Sequence, residues 1–412
     1  MPHISAFDSW LVKQEHASKT VAPSYDAVSA RERQKFAIKN PDNFLNTMRL
    51  MEDFRDDERP ERDELLLRNR RVLDRLLDSE SFEYQCEPSL FLYQLVFGKH
   101  TQTGVVCEVP INEYDSGNIR KHEKTLIDKE SLLANYLRVV GVSSSPICLT
   151  YPQSDSIDTL VSQICEQRAT LNFQSFDSVE QRIWQIQDPN TQSELIDLFS
   201  NIKITYLTDG HHRAASGSRF SKTILNESDG QASPSTQKLL VALFPNNQLR
   251  LLPFHRSVRD FNGKNAQQIL EELAEDFKIT RLNQDRFVSC HHGEFGLFLE
   301  SEWYRLEFRH NISNFTNPVD QLDATILQNY ILGPVFGIQE SRNDPRLDYV
   351  PDVGGENVIR DKVAEGWPVI LVMHAASIEQ LMAVADANEL MPPKSTYFDP
   401  KPRSGIFVRR RV

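Results

Sequence analysis

Residues 209 to 213 read Asp-Gly-His-His-Arg, directly behind the apolar run Ile204 to Leu207 and ahead of the small residues Ala214 to Gly217. A strand that stops at an Asp-Gly turn and restarts as a helix presents unpaired backbone N–H groups and the positive end of a macrodipole, which together attract anions. Arg213 adds a guanidinium able to grip phosphate or carboxylate at two points. His211 and His212 can donate to phosphoryl oxygens or exchange protons near neutral pH, while Asp209 can orient an imidazole or hold Mg2+. The ordinary alternative is an Asp cap, a turn glycine and polar side chains on a solvated helix end. The density of the cluster directly after a strand favours a functional site. Metal ligation by the two histidines together is disfavoured, because neighbours on a helix point about 100° apart.

Two further stretches carry candidate chemistry. Residues 119 to 125, Ile-Arg-Lys-His-Glu-Lys-Thr, set Glu123 among cations, as a base or Mg2+ ligand with Lys121 and Lys124 meeting phosphates. An exposed helix start is the alternative. Residues 391 to 401 place Lys394, Ser395, Thr396 and Lys401 among prolines, a stiff loop presenting hydroxyls and ammonium groups. It lacks the glycines of a P-loop. His291 and His292 read as a surface turn between strands, and His255-Arg256 as cleft-lining residues.

The elements that must position these residues mix strands, hairpins and helices, an α+β pattern rather than a regular doubly wound sheet. Residues 61 to 77 have helical apolar spacing, 89 to 110 read as a hairpin with Gly98 and Gly104 at its turn, and 238 to 245 form a buried strand. The polar stretch 221 to 237 is the expected boundary between a domain of residues 1–225 and an α+β domain of residues 238–412.

Composition narrows the classes. The chain has 412 residues, 40% hydrophobic and 25% charged, enough for two or three domains. A formal net charge of −12 argues against nucleic acid. The run Arg409 to Arg411 reads as a solvated end. Five dispersed cysteines without a CxxC pair read as reduced, mostly buried thiols. There is no signal-peptide core or membrane-length apolar run, so a cytoplasmic protein without a membrane partner is expected, with self-association left open.

Taken together, "VAPSYDAVS", "NPDNFL", "IRKHEKT", "YLTDGHHRAA", "LPFHRSV" and the terminal "LMAVADANELMPPKSTYFDPKPRSGIFV" resemble the family catalogued as domain of unknown function 1015, over essentially the whole chain. Ser24 departs from a second proline usual in the family. Ala214-Ala215 replace a Tyr-Glu pair, so a carboxylate role at that position cannot be carried over. The DGHHR run also resembles that of ParB/sulfiredoxin-like free serine kinases. That resemblance implies a ParB/sulfiredoxin-like N-terminal domain in which Asp209, Gly210, His211, His212 and Arg213 hold phosphate and Mg2+. The kinases' catalytic glutamate has no aligned counterpart here, and Glu123 is a candidate on its own surroundings alone.

The expectation is a phosphotransferase acting on a small hydroxy amino acid, free serine first, with Mg2+ and ATP or ADP as co-substrate. Its catalytic set is Asp209, His211, His212 and Glu123. Gly210, Arg213, Lys121, Lys124, Lys394, Ser395 and Thr396 bind phosphate or nucleotide, and Asp209 takes the metal. Phosphoryl transfer needs positioning and charge neutralisation more than covalent catalysis, which suits these residue types. A nucleotide-binding regulatory protein and a phosphoserine phosphatase are the alternatives.

Overall fold

Along residues 239 to 244, side chains alternate between two apolar cores: Leu239, Val241 and Leu243 join one, Leu240, Ala242 and Phe244 the other. Successive strand side chains point to opposite faces, so a run apolar at every position belongs in a sheet covered on both sides. The computed structural model bears this out. It describes residues 3–411 apart from Ser24, Asp26, Ala27, Asp285, Arg286, Gly354 and Gly355, and Glu356 by its backbone alone. The Ser24 departure therefore lies outside the described residues.

The chain is a mixed α/β protein that divides into two compact units, Met1–Leu249 with Pro400–Val412, and Arg250–Asp399. In the first unit the strands are β1 (Phe7–Val12), β2 (Phe82–Phe97), β3 (His100–Pro110), β4 (Ile119–Arg120), β5 (Val142–Ser143), β6 (Ile147–Tyr151), β7 (Leu171–Gln174), β8 (Glu180–Ile186), β9 (Thr205–Asp209) and β10 (Lys238–Pro245). They lie in an 11-stranded sheet in the order β4-β9-β6-β10-β3-β2-β1, followed by the C-terminal strand Phe407–Arg410 and β5, with β8 pairing β2 and β7 pairing β8. Only β4 with β9 and β6 with β10 run parallel among these pairs of the described residues. The remaining pairings are antiparallel, so helices and hairpins share the connections.

The second unit holds β11 (Leu251–Leu252), β12 (Phe254–Val258), β13 (Phe277–Leu282), β14 (Glu294–Leu299), β15 (Glu302–Phe308), β16 (Leu347–Pro351), β17 (Val369–Val372) and β18 (Tyr397–Phe398). Six form the order β13-β15-β14-β17-β12-β16, and β11 pairs with β18. The helix Ala266–Asp276, opened by a capping box between Asn265 and Gln268, buries Ile269 and Leu273 in the core of this unit.

Four expectations change in three dimensions. The polar stretch 221 to 237 completes the helix His211–Glu227 and makes a short turn into β10, all inside the first unit. The division falls at residue 250 instead, because β10 is committed to the sheet between β3 and β6. Gly104 sits within β3 rather than in the turn, where a Cβ would meet the Phe244 ring at 2.7 Å. Of the cysteines, Cys107 and Cys148 are buried but Cys86 and Cys290 are exposed.

The arginine tail is not a solvated end. Arg411 is buried, its guanidinium donating to Glu108 at 2.7 Å, to the Ser235 carbonyl at 2.7 Å and to Ser143 at 2.8 Å. Arg409 shares the same buried Glu108 at 3.1 Å and reaches Asp8 at 2.7 Å. The terminal strand is thus stitched to the sheet by ion pairs as well as by backbone pairing with β1 and β5. Removing one partner of a desolvated pair leaves an uncompensated charge, at a cost of about 3–5 kcal/mol. We expect Glu108→Gln to lower the unfolding free energy by about that amount in urea titrations. A loss below about 1 kcal/mol would show that the tail contributes little.

Candidate functional site

β9 delivers Asp209 to the rim of the sheet, and Gly210 then takes φ 98°, ψ 29°, so that the helix His211–Glu227 starts immediately. That left-handed geometry suits glycine, and a Cβ there would meet the Arg213 guanidinium at 2.8 Å. Arg213 needs the space because it folds back onto its own turn, donating to Asp209 Oδ2 at 2.5 Å. Lys401, from the C-terminal segment, donates to Asp209 Oδ1 at 2.6 Å. Burial raises the Asp209 carboxyl pKa, but Lys401 and Arg213 outweigh it and hold the group ionised well below the usual range.

The two histidine-bearing motifs, far apart in sequence, meet. The His122 and His211 rings pack edge to face, centroids 4.5 Å apart, and His211 Nδ1 lies 3.7 Å from Glu123 Oε2. β4 explains the approach, since it pairs in parallel with β9 and hands the chain to the loop carrying both His122 and Glu123. Both histidines are buried, and burial pushes His122 down to about 4 and His211 well below its ordinary value. The Leu207 backbone and the Asp209 charge oppose the shift at His122 without cancelling it. Both imidazoles are therefore neutral at pH 7. His212 is half-buried, near enough to Glu130 for its charge to help hold that carboxyl down.

The other candidates divide. Lys121 is exposed with its ammonium 4.2 Å from the Tyr114 ring centroid, close enough for its charge to act on His211. Lys124 is exposed. Lys394, Ser395 and Thr396 belong to the second unit. There Lys394 takes φ 54°, its carbonyl accepts from Arg256 at 3.2 Å, and the Ser395 hydroxyl donates to the Pro392 carbonyl at 2.7 Å. His255-Arg256 is interior to β12, with Arg256 also 4.4 Å from the Tyr349 ring centroid. Ala214 and Ala215 pack into the core of the first unit.

Asp209 does not fit its expected metal role, because both of its oxygens are taken by cations. Among the described residues no group of three His, Cys, Asp or Glu side chains is placed to hold a metal ion. What sequence reasoning missed is Lys401. In the sequence it is one ammonium in a proline-rich loop, and nothing local ties it to a residue 192 positions away.

A strand, a left-handed glycine and a helix start gather a charged cluster at the rim of a mixed sheet, the candidate site of a mixed α/β protein. The chain belongs to the family described as "Protein of unknown function (DUF1015)", whose model matches residues 4–325. No curated protein matches it. Among solved structures it is similar to a point mutant of free serine kinase in complex with ADP, at 11% identity and a TM-score of 0.37, covering 73% of this chain and 92% of that one. It is also similar to free serine kinase in complex with AMP (10% identity, TM-score 0.37, 73% and 91% covered). A third likeness is to SbnI with C-terminal truncation from Staphylococcus aureus (11% identity, TM-score 0.36, 72% and 84% covered). Likenesses this loose transfer neither residues nor activity. No helix of the described residues is long and apolar enough to cross a membrane.

The depressed His122 value carries a stability consequence. Unfolded, the imidazole titrates near 6.5; folded, near 4. Between those values the unfolded chain binds a proton that the folded chain refuses, so stability falls on acidification, by about 3 kcal/mol from this residue across the window. Unfolding free energies of the wild type and His122→Phe at pH 7 and pH 4 should differ in their pH dependence by that amount. Parallel profiles would mean that the ring titrates normally in the fold.

Proposed function

We propose that the chain is a phosphotransferase acting on a small hydroxy amino acid, with free serine the first acceptor to test and ATP or ADP as donor. What carries this reading is the Glu123 carboxylate 3.7 Å from the buried His211 imidazole, beside a helix start whose first turn holds Arg213. A base next to donors aimed at an anion is the arrangement phosphoryl transfer requires. The assignment of the first unit to a ParB/sulfiredoxin-like fold belongs to the same proposal.

In this scheme the acceptor hydroxyl oxygen attacks the terminal phosphorus of the nucleotide. A new oxygen–phosphorus bond forms, the bond to the leaving nucleotide oxygen breaks, and Glu123 takes the hydroxyl proton. The first backbone N–H groups of the helix, His212 and the outward N–H groups of Arg213 meet phosphoryl oxygens. Asp209 acts one step behind, holding Arg213 and Lys401 in place. His211 is neutral, so it stands beside Glu123 without adding a charge that would discourage proton uptake. Mg2+ accompanying the nucleotide would supply neutralising charge, and no residue is assigned to it.

Incubation with ATP or ADP, Mg2+ and a panel of hydroxy amino acids tests the reading. Phosphoserine should form, Glu123→Gln should lower turnover by roughly 10²–10⁴-fold, the range for loss of a general base, and His212→Ala should abolish detectable product. Nucleotide turnover indifferent to every amino acid would favour a switch protein. Phosphoserine consumed without nucleotide would favour a phosphatase.

A further inference from the structure

Away from the histidines, the first unit contains a cavity of about 530 Å3 between the helices Ile127–Val139 and His211–Glu227, with Arg62 at its side. We propose that this cavity is a second anion site, taking a small molecule that carries two acid groups, carboxylate or phosphate, on a short apolar body. Its volume falls within the roughly 300–1,000 Å3 usual for small-molecule sites.

The lining specifies the ligand. Arg62, Arg138 and Arg219 face it against a single carboxylate, Asp128, while Leu132 and Phe220 supply apolar surface. Arg138 is paired to Glu227 and Arg219 to Glu130, each at 2.9 Å, and both guanidiniums are about half exposed. A guanidinium has five N–H donors, so one carboxylate partner leaves others for a ligand. The side chain of Arg62, in the first turn of the helix Arg62–Leu77, makes no hydrogen bond or ion pair among the described residues. An acid group between Arg62 and Arg219 and another toward Arg138 would use all three cations.

The cavity is separate from the histidine cluster yet linked to it. Arg219 lies two turns along the helix from His211, about 12 Å at 1.5 Å per residue. Its partner Glu130 also accepts from Thr125 at 2.5 Å, two residues from Glu123. An anion that draws on Arg219 competes with Glu130, and the loop carrying Glu123 feels the change. This last step rests on the phosphotransferase reading; the binding itself does not.

Isothermal titration of the full chain with inorganic pyrophosphate tests the site without an activity assay. Arg213→Gln removes a cation from the histidine cluster, and Arg62→Gln, at an exposed helix start, removes the unpaired cation of the cavity. Circular dichroism checks that each variant folds. We expect Arg213→Gln to keep a pyrophosphate site and Arg62→Gln to weaken that site by tenfold or more, with Ala134→Phe, which fills the cavity, doing the same. No binding to the wild type, unchanged binding in Arg62→Gln, or loss of all binding in Arg213→Gln alone would overturn the proposal. Phosphoserine formation by an Arg62→Gln variant that no longer binds at the cavity would leave the proposed activity standing, so the two readings fail separately.

Discussion

The geometry of the candidate site depends on one largely enclosed carboxylate. Asp209 ends β9 where the chain must reverse into a helix, and burial alone would favour its neutral form. Lys401 and Arg213 reverse that preference, and in doing so fix two things at once. Arg213 is drawn back over Gly210, which therefore tolerates no side chain, and the C-terminal segment is tied to the end of β9. The Asp-Gly-His-His-Arg run is thus a closed electrostatic unit that owes part of its charge balance to a residue near the other end of the chain.

The terminal strand completes the same logic elsewhere in the sheet. Glu108, inside β3, meets Arg409 and Arg411, with Lys238 of β10 at 3.8 Å. A carboxylate so buried is tolerable only with such partners. Asp209 and Glu108 therefore both depend on residues beyond 400. The first unit cannot be assembled from the N-terminal portion alone, although the intervening 150 or so residues form a unit of their own.

How much of this is legible in the sequence follows from the range of each interaction. Period and turn chemistry act locally, which is why β9, the Gly210 turn and the helix after it are readable from residues 204 to 217, and β10 from its unbroken apolar run. Resemblance to the family is equally legible, being carried by short motifs. Lys401 with Asp209, Arg411 with Glu108 and the cavity between the helices are not, because they depend on sheet order, which places β9 between β4 and β6 and the last strand between β1 and β5. Glu123 is an intermediate case. Its cationic surroundings mark it out, but only the parallel pairing of β4 with β9 brings it to His211.

That pairing has a consequence beyond proximity. Arg219 and Glu130 are 89 residues apart, and His122 with His211 and Arg138 with Glu227 keep the same offset. The segments 122–138 and 211–227 therefore run side by side in one direction, with both helix N-termini toward the histidine cluster. Parallel dipoles in contact repel, and the ion pairs offset this: Glu130 sits in the first turn of its helix and Arg138 in the last, each the sign the macrodipole favours. Glu227, unfavourable at a helix C-terminus by itself, is neutralised by Arg138. Two positive helix ends then converge on a region whose two buried imidazoles, His122 and His211, are uncharged and whose aspartate is already matched by cations. Glu123 is the carboxylate that this arrangement brings to 3.7 Å from His211, close to the start of the second of these helices.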